Sequence, residues 1–176
     1  MSSQIKPIHT ALEKLNQGVA EVASLENLLT SNATTLRGLE ANCDLGDDRA
    51  LTIITRLQVI ESLLPRRIET KKDALPALEQ GILESCYQAI TGLIGPKIRS
   101  LREKAEARVR TALSPHFADP TTLAMSVSGS ELLRELDNLG VFASVQSDPL
   151  GGVIPYAERI LKTWESVELF EKTHLT

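Results

Sequence analysis

Between residues 73 and 113 apolar side chains recur at the spacing of one helix face: Leu75, Leu78, Ile82, Cys86, Ile90, Leu93, Ile94, Ile98, Leu101, Ala105, Val109 and Ala112. An unbroken helix over this stretch spans about 60 Å at 1.5 Å per residue, more than a compact core of this chain length needs. The rest of the chain must therefore pair along extended seams. Asp73 is the expected N-cap, with Pro76 in the first turn, where a missing N–H costs little. Pro96 is expected to bend the helix, because its ring displaces the carbonyl of Gly92 and leaves that bond unmade.

A second series occupies residues 5–43: Ile5, Ile8, Leu12, Leu15, Val19, Val22, Leu25, Leu29, Asn32, Leu36, Leu39 and Cys43. Its steps are threes and fours, with Asn32 the one polar member and a three-residue stammer at Val22 to Leu25. Gly18 and Gly38 each lower intrinsic helicity by about 1 kcal/mol relative to Ala, so packing must hold this helix. Asp44, Gly46, Asp47 and Asp48 make a turn in which Asp47 or Asp48 caps the next helix; the acids lack the spacing of a calcium loop.

The next helix, residues 48–70, carries Ala50, Leu51, Ile53, Ile54, Leu57, Ile60, Leu63, Leu64 and Ile68. That stripe is wider than a two-helix seam needs and predicts two neighbours. Pro65 is expected to kink it. Two topologies follow. In one, this helix and the next run nearly collinear and the first helix folds back along both, placing Val22 near residue 69. In the other, the chain reverses at residues 71–73 and forms a three-helix bundle. The length of the first helix favours the collinear hairpin. Neither brings Cys43 and Cys86 within bonding reach, so both are expected as free, buried thiols.

From residue 114 to 130 two prolines and clustered Ser and Thr predict a linker or surface loop. Ser128 and Glu131 have capping-box spacing and open a short helix through Leu132, Leu133, Leu136 and Leu139, ending at Gly140. Residues 141–145 are expected to be extended, and residues 148–152 to form a turn. Pro155 opens a last helix with Ile154, Ala157, Ile160, Leu161, Trp164, Val167 and Phe170 on one face. The expected fold is all-α: an elongated antiparallel hairpin or three-helix coiled-coil-like bundle over residues 1–113, the linker at 114–130, and a small helical subdomain at 131–176.

Charge alternates in blocks. Residues 1–48 carry −4, 49–72 carry +4, 73–96 carry −3, 97–110 carry +4 and 111–176 carry −5, giving the net −4 of the 176-residue chain. Such blocks suit antiparallel helices that meet acid against base. The negative total argues against a chain that coats nucleic acid, and 3% aromatic residues leave little for an aromatic ligand pocket or a base-stacking platform. No apolar run approaches the ~20 residues of a membrane span. Two cysteines and no signal-like start fit the cytoplasm.

Chemistry-bearing motifs are missing. His9, His116 and His174 have no Cys, Ser or Asp arrangement around them that names a role, and there is no P-loop, zinc-spaced Cys/His set or dinucleotide fingerprint. The expectation is a protein without catalytic residues, metal or cofactor, a structural or adaptor protein acting through helix-mediated interaction with a protein partner or with itself. Trp164 and Phe170 are candidate anchors, set either in the chain's own core or in a partner's groove. The alternative is anion or nucleic-acid binding along Lys97, Arg99, Arg102, Lys104, Arg108 and Arg110, a patch diluted by Glu103 and Glu106. A helical-bundle enzyme, with carboxylates gathered from several helices, is the third reading.

Overall fold

The computed structural model describes residues 5–42, 47–144 and 151–175, and with them an all-α protein. The helices are α1 (Lys6–Asn42), α2 (Asp48–Ala89), α3 (Gly95–Leu113), α4 (Pro120–Ser128), α5 (Glu131–Ser144) and α6 (Val153–His174). A π turn, Ile90–Ile94, joins α2 to α3, and a 3-10 turn, Ser114–His116, follows α3. The chain divides into two compact units, Ala11–Gly81 and Met1–Thr10 with Ile82–Thr176. The expectations for Cys43, Asp44, Gly46, Val145 and Asp148 lie outside the described residues.

In the unit Ala11–Gly81, α1 and α2 run antiparallel. Gln58 donates to Glu40 at 3.1 Å, Glu21 pairs with Lys71 at 2.6 Å and Gly18 lies against Leu75, so residue numbers fall on one helix as they rise on the other; Glu26 also pairs with Lys72, at 2.7 Å. The α1 seam consists of Leu12, Leu15 and Val22, with Leu25, Leu29, Asn32 and Leu39 half-buried and Leu36 buried. Val19 is not in it. That side chain is 47% exposed, and Gly18 takes the position instead, where an added Cβ would stand 3.1 Å from Leu75 Cδ2 and 3.5 Å from Leu78 Cδ1. The missing side chain lets the α1 backbone approach the two leucines, and this moves the short step of the series from Val22–Leu25 to Leu15–Gly18.

Asp47 caps α2, its Oδ1 accepting from the backbone N–H groups of Arg49 at 2.9 Å and Ala50 at 3.2 Å. The helix then continues through both Pro65 and Pro76 to Ala89. Asp73 therefore caps nothing, and the chain does not reverse at residues 71–73. The reason lies in the seam: Ile54, Leu57, Glu61, Leu64, Ile68, Lys71, Leu75 and Leu78 are buried or half-buried and follow one another in alternating threes and fours across both prolines. A face buried continuously over many turns outweighs two missing backbone bonds. Lys71 occupies a seam position without breaking it, because its ammonium reaches Glu21.

In the other unit the core gathers Ile82, Cys86, Ile94, Leu101, Ala105, Leu133, Leu136, Ile160, Val167 and Phe170, all at most 2% exposed. Around Pro96 the helix adopts a π turn: Gly95 N–H donates to the carbonyl of Ile90, five residues back. One residue more than an α turn is thus taken up immediately before the proline, whose missing donor falls in the first turn of α3. Buried positions register the insertion, stepping from Ala89 to Ile94, then to Leu101 and Ala105.

Residues 114–130 are largely helical. Asp119 caps α4 by accepting from the Thr122 backbone N–H at 2.8 Å and hydroxyl at 2.6 Å, with Pro120 at the first helical position, and Val127 is buried. The carbonyl of Ser130 accepts the first α5 bond, from Arg134, while Ser128 belongs to α4 and its hydroxyl donates to the carbonyl of Ala124. The helix passes through Gly140 to Ser144, so residues 141–144 are not extended. Gly140 lies against Ile98, whose Cγ2 would be 3.8 Å from an added Cβ, and packing on α3 carries the helix past the glycine. Gly152, with φ 101°, leads into α6, and Pro155 sits inside its first turn rather than at its first position.

Candidate interaction surface

The basic segment of α3 faces acids of its own unit. Lys97 meets Glu171 at 2.6 Å and Lys104 meets the same carboxylate at 3.7 Å; Arg102 pairs with Asp137 and with Glu106; Arg108 donates to the carbonyl of His174 near the end of α6, where a cation complements the helix dipole. Arg99 and Arg110 are exposed and have no ion pair among the described residues. Four of the six bases thus hold the +4 block against the acidic C-terminal block. Glu171 has its carboxyl lowered, first by the hydrogen bond from Lys97 and then by the charges of Lys97 and Lys104. Trp164 is 7% exposed and Phe170 2%, so both anchor their own core. Phe170 also stacks at a tilt on His174, with ring centroids 4.9 Å apart.

Cys86 is buried and free, and burial pushes its thiol up to about 11. A thiol held protonated among apolar neighbours is a weak nucleophile. Among the described residues no group of three His, Cys, Asp or Glu side chains is placed to hold a metal, and no helix is long and apolar enough to cross a membrane.

An apolar surface remains on α2. Leu64 and Ile68 are buried against α1, whereas Ile53 is 47% exposed, Val59 53%, Ile60 39% and Leu63 58%. At 100° per residue Ile53, Ile60 and Leu63 lie on a flank of α2 turned about 80° from the seam, and steps of four, three, four, three and four link Arg49, Ile53, Arg56, Ile60, Leu63 and Arg67. A groove of about 520 Å³ borders this flank at Arg56 and Ile60 and extends over Thr52, Thr55 and Val59, farther round the helix from the seam. Sequence periodicity signals the feature as a stripe too wide for one neighbour. It does not single out Arg49, Arg56 or Val59, which gain meaning only once the seam toward α1 is located.

No protein-family model, curated protein or solved structure matches the chain.

Proposed function

We propose that this protein is a non-enzymatic structural or adaptor protein that works by helix-mediated protein–protein interaction, with the outer flank of α2 as its contact surface. The observation that carries the reading is the exposed apolar series Ile53, Ile60 and Leu63, a second seam of the spacing that α1 already occupies on the adjacent side of the same helix. Unpaired apolar rows at helical spacing are what a partner helix buries, with anchors at i, i+3, i+4 and i+7. In this reading the partner, another protein or a second copy, lies along α2 in a coiled-coil-like contact. The setting is the cytoplasm, where Cys86 stays a thiol.

Anion binding along α3 has less to draw on, because Lys97, Arg102, Lys104 and Arg108 already have partners within the chain. For catalysis, no group of three or more His, Cys, Asp or Glu side chains among the described residues could hold a metal. The test is site-specific photocrosslinking, in the cells that make the protein, from a benzophenone side chain at Leu63 and, as control, at Thr35, an exposed α1 position away from the seam. A discrete protein adduct from position 63 and none from 35 is the expected result. Equal, diffuse labelling from both positions, or none from either, overturns the proposal.

A further inference from the structure

The charge on the α2 flank restricts what can lie on it. Arg49, Arg56 and Arg67 are exposed on the same face as Ile53, Ile60 and Leu63. Between residues 49 and 67 the only acid is Glu61, which sits half-buried at a seam position toward α1 and leaves the outer row without a negative charge. Arg67 has some compensation nearby, since it contributes to lowering the Glu21 carboxyl, an effect led by the hydrogen bond from Lys71. Arg49 and Arg56 have no ion pair among the described residues. The face is thus an apolar row about 15 Å long, from Ile53 to Leu63, set between guanidinium groups at steps of seven and eleven residues along the helix.

A second copy applying the same face, related by a two-fold axis, would bring arginine rows together over a shared apolar strip, and like charges opposed across a helix pair act against association. Complementarity requires acids. We propose, building on the interaction reading above, that the occupant of this flank is an acidic amphipathic helix of another protein. Its apolar residues recur at threes and fours, and its Asp or Glu side chains stand opposite Arg49 and Arg56. Guanidinium groups suit this role because they pair with carboxylates through two parallel N–H···O bonds while lying on apolar surface. About 18 residues, the span from Arg49 to Arg67 of roughly 27 Å, is the matching length.

The experiment uses the full chain and two synthetic helical peptides of that length with one shared apolar heptad pattern, flanked by Glu in one and by Lys in the other. Binding is followed by fluorescence anisotropy at low and moderate salt. The Glu peptide should bind at least tenfold tighter than the Lys peptide, a difference of about 1.4 kcal/mol, and weaken with salt. Arg56→Glu, at an exposed position, should reduce the preference several-fold while leaving the far-UV circular dichroism unchanged; Arg99→Glu on α3 should not. Equal binding of both peptides, a chain dimer that excludes them, or preference for vesicles of anionic lipid over the Glu peptide would each overturn the proposal. Failure of both peptides alongside a discrete Leu63 crosslink would overturn the acidic partner and leave the interaction reading standing. Absence of the crosslink removes both.

Discussion

Gly18 and Gly38 show how one residue type does two different things on one helix. Both lie inside α1, where each lowers helix propensity by about 1 kcal/mol relative to Ala. An added Cβ at Gly38 meets nothing within 4 Å, whereas at Gly18 it stands 3.1 Å from Leu75. Gly38→Ala should therefore stabilise the chain by about 0.5–1 kcal/mol, while Gly18→Val should destabilise it by about 1–3 kcal/mol through overpacking. Urea denaturation at unchanged slope reads both, and a Gly18→Val chain as stable as the parent would refute the seam position. Val19 attracts attention in the sequence because it is apolar and correctly spaced. What decides against it is how close the α1 backbone comes to α2, which a pattern of side-chain polarity does not encode.

On α2 neighbouring leucines divide the helix into its two faces. Leu64 is 6% exposed in the seam toward α1 and Leu63 is 58% exposed on the outer flank. Leu64→Ala should cost about 2–5 kcal/mol, while Leu63→Ala should stay within about 0.5 kcal/mol of the parent in the isolated protein. Thermal unfolding distinguishes them, and equal losses would mean that the flank is covered within the chain. The width of the α2 stripe was legible from composition and spacing, as were most seam residues of α1 and most of the α6 core. Helix boundaries were less so. Prolines at 65 and 76 and the polar stretch 70–73 carry the local signature of breaks, yet α2 runs through them because burial against α1 is continuous. At Pro96 likewise the chain stays helical, through the π turn at Ile90–Ile94. In each case a local preference worth a few kcal/mol yields to an apolar face shared over many turns.

Four of the five charge blocks find partners within a unit: the −4 block of residues 1–48 meets the +4 block at Lys71 and Lys72, and the +4 block of 97–110 meets the acidic C-terminal block at Asp137 and Glu171. These pairs are mostly exposed, so they set register more than they add stability, and moderate salt should lower the unfolding temperature only slightly. Glu21 and Glu171 both have lowered carboxyl pKa values, led by hydrogen bonds from Lys71 and Lys97. A lowered acid contributes stability that is present above the ordinary glutamate range, about 4.3, and is lost as pH falls through the folded-state value. Stability should accordingly drop as the pH is taken from 6 to about 3, and Glu171→Gln should flatten part of that slope; an unchanged slope would remove Glu171 from the account. Periodicity and charge order alone settle that this chain is helical, which helix faces are apolar and which blocks attract, because these depend on spacing within a few turns. Which glycine lies in the seam, where helices fuse rather than break, which bases are spent internally and which apolar face stays open depend on distances between residues far apart in the chain, and those exist only in the folded structure.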